Sequence, residues 1–186
     1  MRYSMKDAME MYRSIRILLD VRTDIQVIWK LVKLGEYEIP DSGSSEDRLR
    51  IVEWLSADPI SILKDGNIIC FVNHGGSNSY HEALYAGVPQ VVLPSWTDCY
   101  DFPARVQYLG IGAWGNRKAS PGYSQPELTE ALLQVIGRTP DDVVARTIRE
   151  RAKELGRAVT SDYTREGRYV AADHIWMEMQ KVGATK

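Results

Sequence analysis

One segment of the sequence combines residue types and spacing suited to binding an anion. The apolar run NIICFV leads into His-Gly-Gly-Ser-Asn-Ser, and a helical pattern follows at once. A helix that begins directly after such a turn leaves its first backbone N–H groups without acceptors, and glycine lets an anion approach them closely. The helix dipole adds roughly half a positive charge at this end. We therefore predict a diphosphate site beside His74 that needs no metal ion.

An acidic residue in the same helix narrows the ligand class. Glu82 lies within the first turns of the predicted helix. A carboxylate beside a diphosphate is unfavourable unless it accepts hydrogen bonds from neutral donors, and the hydroxyl groups of a ribose are such donors. The pattern therefore favours a ligand that carries a ribose beside its diphosphate.

The segment from Trp54 to Asp98 resembles the C-terminal, nucleotide-sugar-binding half of the UDP-dependent glycosyltransferases of GT-B fold, and among them the fungal members. The elements HGGxNS, Glu, GVP and Pro-x-x-x-Asp occur here in the family's order and spacing. The resemblance implies an enzyme that transfers a hexosyl group from a UDP-sugar to an acceptor hydroxyl with inversion. It implies no metal and no cofactor, since the UDP-sugar is a substrate.

The resemblance also implies a role for each matching residue. Trp54 and Leu55 would contact the uracil, and Glu82 would bind the ribose. Asp98 and Cys99 would contact the sugar, although the family usually has Gln where Cys99 stands. The diphosphate would be held by His74, which also stabilises the leaving group, and by the turn of Gly76, Ser77, Asn78 and Ser79.

Two parts of the family's enzymes have no counterpart in this sequence. The opening strand of the domain is missing, and so is the N-terminal acceptor-binding half, which supplies the catalytic base. We therefore expect residues 1–186 to form a single nucleotide-sugar-binding domain, inactive alone, whose partners are a UDP-sugar and an acceptor-binding domain or separate chain. The alternatives are a donor-binding subunit of a split glycosyltransferase and a non-catalytic nucleotide-sugar-binding protein.

Purely structural roles compete with several of these assignments. His74 would then be a satisfied buried histidine, Trp54 a core residue at a strand end, and Asp98 a helix N-cap. A zinc site lacks paired ligand spacing among the candidates Cys70, His74, His81 and Cys99. The run GIGAWG, residues 110–115, matches a dinucleotide fingerprint but follows a predicted helix, so we interpret it as a turn into a short strand.

Alternating strand and helix patterns predict the fold that positions these residues. Strands are predicted at DIQVIWK, LRIVEWL, NIICFV and QVVLP, with an amphipathic helix before them and three helices at the end. Such alternation predicts a Rossmann-like, doubly wound parallel α/β sheet with helices on both faces, whose ligands bind at the carboxyl ends of the strands.

Helix boundaries are predicted from residue types near the ends of each pattern. Ser124 with Glu127 forms one predicted capping box, and Thr139 as N-cap with Asp142 as its N3 carboxylate forms another. Gly87 is predicted to end the helix after the glycine turn. The last helix, residues 165–181, would place four side chains together, namely Tyr169, Ala172, Trp176 and Met179.

Composition excludes several other classes of protein. Of 186 residues, 23 are Lys or Arg and 25 are Asp or Glu, so the formal net charge of -2 gives no reason to expect nucleic acid or anionic lipid as a partner. Two cysteines cannot form a disulfide framework, which favours a reduced compartment. Charges interrupt the apolar residues of the N-terminus, and no segment is long and apolar enough to span a membrane. We expect a cytoplasmic domain that reaches a membrane only through a partner.

Overall fold

A computed structural model describes residues 2–40, 48–161 and 167–183. The polar stretch of residues 33–47, whose Gly, Pro and Ser predict one exposed loop, lies partly outside these ranges. The elements of the structure follow the predicted alternation of helices and strands. In chain order they are α1 (Met5–Val21), β1 (Val27–Lys30), β2 (Leu49–Val52), α2 (Pro59–Leu63), β3 (Phe71–Asn73), α3 (Ser77–Ala86), β4 (Gln90–Val92), a 3₁₀ helix (Thr97–Tyr100), α4 (Asp101–Leu109), β5 (Gly112–Trp114), α5 (Gln125–Ile136), α6 (Val143–Ser161) and α7 (Gly167–Gly183).

All the described strand pairings are parallel, as the α/β pattern predicts. β1 pairs with β2 in a two-stranded sheet, and β3, β4 and β5 form a three-stranded sheet with β4 in the middle. The run NIICFV contributes less strand than predicted, because β3 begins only at Phe71. Cys70, just before it, packs against the main core, and burial raises the pKa of its thiol to about 12.

Helices cover both faces of the three-stranded sheet. Successive side chains of a strand point to opposite faces. Val91 and Leu93 belong to a core cluster with residues of α1 and α5, whereas Val92 packs with Tyr80 of α3 and Val106 of α4. β4 is therefore buried on both sides, and the carboxyl end of the sheet is the edge left for a ligand.

Two predicted turns are confirmed at glycines with positive φ. Gly87 ends α3 in the left-handed conformation at φ 69°. Gly110 ends α4 in the same way, and β5 begins two residues later. The run GIGAWG is therefore a turn into a short strand, not a dinucleotide site.

Both predicted capping boxes are wrong in detail. Ser124 precedes α5 but makes no capping bond, and Glu127 instead accepts hydrogen bonds from the backbone N–H groups of Lys118 and Ala119 at 2.8 and 3.2 Å. α6 begins at Val143 rather than beside Thr139.

Asp142 caps α6 instead of standing within its first turn. Its Oδ1 accepts a hydrogen bond from the N–H of Ala145 at 3.1 Å, and its Oδ2 accepts one from the N–H of Arg138 at 3.3 Å. These two bonds hold the pKa of Asp142 below its usual value. The prediction placed this helix start too early because three capping-type residues occur within four positions.

The last helix contributes little to the core. α7 runs from Gly167 to Gly183, close to the predicted bounds. The four side chains predicted to lie together are all exposed, including Trp176 at 60% and Met179 at 61%.

Arg22 joins the end of α1 to the end of α5 through a buried guanidinium. Its Nη1 donates to the carbonyl oxygens of Ile136 and Gly137 at 2.9 and 3.1 Å. Its Nε and Nη2 donate to the two carboxylate oxygens of Asp24, each at 2.8 Å. Hydrogen bonding to Arg22 lowers the pKa of Asp24 to about 2.

We expect Arg22→Met to lower the free energy of unfolding by about 2–3 kcal/mol in urea titrations at pH 7, because the Gly137 carbonyl and the Asp24 carboxylate lose this donor, while the Ile136 carbonyl keeps only Arg149. The matched control Arg13→Met removes only an exposed ion pair with Glu10, so its effect should stay below about 1 kcal/mol. Equal losses in the two variants would contradict the role of Arg22.

The pKa of Asp24 is lower in the folded chain than in the unfolded chain. The stability that Asp24 contributes is therefore present above its unfolded pKa and is lost as the pH falls towards 2.

Candidate functional site

The predicted diphosphate site lies between the end of β3 and the uncapped start of α3. β3 ends at Asn73, and Gly76 is the N-cap of α3, so no side chain caps the helix. The first helical bond is that from the N–H of Tyr80 to the carbonyl of Gly76 at 3.0 Å. Helix geometry leaves the preceding N–H groups, those of Ser77, Asn78 and Ser79, without acceptors in the helix. Ser77 and Asn78 are exposed and Ser79 is half-buried, so the start of α3 lies at the surface.

Both glycines of this turn have close neighbours that leave little room for a side chain. Gly75 has φ 78°, and a Cβ there would lie 2.7 Å from the carbonyl oxygen of Cys99 and 2.9 Å from Cγ1 of Val92. A Cβ at Gly76 would lie 2.6 Å from Nε2 of His74. The turn therefore packs tightly between the segment after β4 and the His74 ring.

His74 lies at the edge of this turn and is half-buried. Its ring centroid is 5.1 Å from that of Trp96, with an interplanar angle of 44°. Partial burial lowers the pKa of His74, while the carboxylate of Asp98 acts in the opposite direction. At neutral pH the imidazole is therefore mostly uncharged, with one N–H to donate. Its partial exposure does not match the satisfied buried histidine of the alternative interpretation.

Glu82 lies on α3 beyond the open N–H groups. Its side chain is half-buried, and the described part of the chain offers its carboxylate no hydrogen-bond or ion-pair partner. The carboxylate is therefore available to accept hydrogen bonds from a ligand.

Trp54 lies just after β2, a strand of the other sheet. Its side chain is 74% exposed, so the alternative of a core residue is wrong. Nζ of Lys30 lies 4.0 Å from the centroid of its ring. Leu55 is half-buried beside it. The ring contact described for Trp54 involves Lys30 rather than the His74 turn, so the structure does not itself bring these predicted uracil contacts to the predicted diphosphate site.

Asp98 and Cys99 occupy the 3₁₀ helix after β4. Asp98 is exposed and close enough to influence His74. It is not an N-cap, because Trp96 precedes the 3₁₀ helix and Tyr100 precedes α4. Cys99 is 0% exposed, so its thiol has no surface to offer a sugar. The predicted contact of Cys99 with the sugar is therefore wrong for this structure, because the residue packs beneath the turn at Gly75.

Three residues near the turn were missed by the sequence analysis. Trp96 is 47% exposed beside His74. Asn73 and Gln90 are buried and hydrogen-bonded to each other at 3.0 Å. The sequence signal for Asn73 and Gln90 was a polar residue at one end of an otherwise apolar strand.

Two features are absent from the part of the chain that the structure describes. Over residues 2–40, 48–161 and 167–183, no three His, Cys, Asp or Glu side chains are grouped to hold a metal ion. In the same ranges, no helix combines the length and apolar character needed to cross a bilayer.

The parallel sheet, with a glycine turn and an uncapped helix after β3, has the fold of the C-terminal domain of GT-B glycosyltransferases. Solved structures share this fold. A UDP-glucose: anthocyanidin 3-O-glucosyltransferase in complex with UDP gives a TM-score of 0.53 at 22% identity, over 61% of this chain and 24% of that one. The glycotransferase of kitacinnamycin gives 0.59 at 20% identity, over 81% and 35%.

The chain belongs to the family described as "Erythromycin biosynthesis protein CIII-like, C-terminal domain", which matches residues 17–158. It is 43% identical to the glycosyltransferase sdnJ of Sordaria araneosa, over 76% of this chain and 32% of that protein. It is 32% identical to the human 2-hydroxyacylsphingosine 1-beta-galactosyltransferase, over 70% and 21%. The chain thus spans a third or less of the length of these relatives, and it is a glycosyltransferase C-terminal domain of the UDP-glycosyltransferase family.

Proposed function

We propose that residues 1–186 form a single domain that binds the UDP-sugar donor of an inverting, metal-independent glycosyltransferase. The observation that carries the proposal is the uncapped start of α3, whose exposed N–H groups lie next to a mostly uncharged His74. Helix N-termini bind phosphate through such groups and through the helix dipole. A similar structure supports the nucleotide, because it is a UDP-glucose: anthocyanidin 3-O-glucosyltransferase in complex with UDP.

The same groups would stabilise the leaving group during transfer. An acceptor hydroxyl, deprotonated by a base outside this domain, attacks the anomeric carbon as its bond to the β-phosphate oxygen breaks, and the electron pair leaves with UDP. Negative charge then grows on the β-phosphate. The N–H groups of Ser77, Asn78 and Ser79 and the N–H of His74 are fixed before the reaction, so they stabilise this charge without reorganisation.

The remaining predicted contacts complete the proposal. The free carboxylate of Glu82 would accept hydrogen bonds from the ribose hydroxyls, and the exposed ring of Trp54, with Leu55 beside it, would contact the uracil. Asp98, exposed near His74, would bind hydroxyls of the transferred hexose. The acceptor and its binding domain would come from outside residues 1–186.

Isothermal titration calorimetry with UDP tests this assignment. We expect His74→Ala to weaken binding about 10- to 100-fold, since a hydrogen bond to a charged group contributes roughly 1.5–3 kcal/mol. His81→Ala is the matched control, because His81 is exposed and its Nδ1 donates to the carbonyl of Ser77 in its own helix at 2.7 Å. Unchanged affinity in His74→Ala, or no binding of UDP by the wild-type protein, would overturn the proposal.

A further inference from the structure

Two buried side-chain amides connect the glycine turn to helix α3. The N–H of Gly75 donates to Oδ1 of Asn73 at 2.8 Å, and Nδ2 of Asn73 donates to Oε1 of Gln90 at 3.0 Å. Nε2 of Gln90 in turn donates to the carbonyl oxygen of Tyr80 at 3.2 Å. Asn73 is 6% exposed and Gln90 is 0% exposed. We call these three hydrogen bonds the amide relay.

The orientation of both amides in the relay follows from a single backbone group. The N–H of Gly75 can only donate, so the oxygen of Asn73 must face it and the nitrogen must face Gln90. The oxygen of Gln90 then faces Asn73, and its nitrogen faces the carbonyl of Tyr80. Flipping either amide would set oxygen against oxygen or nitrogen against nitrogen. The relay is therefore specific for one arrangement of turn and helix.

An apolar side chain at Gln90 would be a simpler way to fill this buried position, so the presence of an amide there is informative. A buried amide costs free energy unless its hydrogen bonds are made, whereas an apolar side chain at Gln90 would fill the same space between β3 and α3 without that requirement. What an apolar side chain cannot do is hold Gly75 and Tyr80 at set distances. These two residues flank the three open N–H groups of α3.

We propose that Asn73 and Gln90 are positioning residues for the diphosphate, and this inference rests on the proposed donor-binding function. The relay holds the Gly75 turn against the first turn of α3. His74, immediately before Gly75, and the N–H groups of Ser77 and Asn78 therefore converge on one phosphate position. Neither amide touches the ligand itself.

The test compares two ligands that differ only in the diphosphate. In Gln90→Leu, which keeps a buried side chain of similar size, we expect the Kd for UDP to rise about 10-fold while the Kd for uridine, measured by NMR titration, stays unchanged. Asn73→Ala breaks the relay from its other end and should show the same split between the ligands if Gln90→Leu does not fold.

Thr129→Val is the matched control. Thr129 is a buried residue of α5 whose Oγ1 accepts a hydrogen bond from Nε2 of Gln125 at 3.0 Å, away from the turn. The control should change neither Kd. An equal loss for UDP and uridine in the relay variants, or no loss for UDP, would overturn the positioning role while leaving donor binding intact. Failure of the wild-type protein to bind UDP would instead overturn the proposed function, and this inference with it.

Discussion

Replacing Gly75 by alanine is expected to weaken UDP binding by at least about 100-fold while the chain stays folded. Gly75 has φ 78°, where a side chain is strained, and the added Cβ would lie 2.7 Å from the carbonyl oxygen of Cys99 and 2.9 Å from Cγ1 of Val92. Cys99 and Val92 are both buried, so they cannot move aside and the turn must shift instead. A shift of the turn would carry His74 away from the N–H groups at the start of α3, and such strain and misplacement together cost roughly 3 kcal/mol.

The measurement is calorimetric titration with UDP, accompanied by circular dichroism to establish folding. Gly66→Ala is the matched control, because Gly66 has a similar φ of 89° but no atom within 4 Å of the added Cβ. The control shares the backbone strain without the clash, and Gly66 lies outside the proposed site. Equal UDP affinities in the two variants would contradict the requirement for close packing at Gly75.

Replacing Gly112 by alanine is expected to have the largest effect on stability. Gly112 of β5 is paired with Gln90 of β4, and an added Cβ would overlap the carbonyl oxygen of Gln90 and lie 2.8 Å from Cγ1 of Val106. The overlap is with backbone in the middle strand of the sheet, which cannot move without separating β4 from β5. We expect a loss of about 4 kcal/mol or more, which corresponds to a fall in Tm of roughly 8–16 °C for a chain of this size.

Thermal unfolding followed by circular dichroism measures this effect. Gly167→Ala is the control, because Gly167 begins α7 and nothing lies within 4 Å of its added Cβ. Alanine is a better helix former than glycine, so the control should not lower Tm. A fall in Tm of less than about 3 °C for Gly112→Ala would show that the sheet tolerates separation of these strands.

Both substitutions act on the surroundings of β4, which joins the fold to the site. Gln90, its first residue, is paired with Gly112 on one side and is hydrogen-bonded to Asn73 on the other. Val92, its last, lies under Gly75. The middle strand of the sheet therefore also supports the glycine turn before α3, so we expect substitutions around this strand to affect both stability and ligand binding.

Features that depend on neighbouring residues were predictable from the sequence. The parallel α/β order follows from hydrophobic periodicity, and the open start of α3 follows from the glycines that precede Ser77, because both are set by local backbone preferences. Gly87 and the turn at Gly110 were predictable for the same reason.

Features that depend on distant partners were decided by packing. Glu127 bonds to Lys118 and Ala119 instead of capping its own helix, and Cys99, next to an exposed Asp98, lies in the interior. The amide relay joins Asn73 to Gln90 across 17 positions of sequence. A side chain's spacing along the chain sets the face of the element on which it lies, but its partner is set by the element packed against that face. Local sequence therefore predicted where a diphosphate could bind, whereas only the folded chain shows what holds the glycine turn in place.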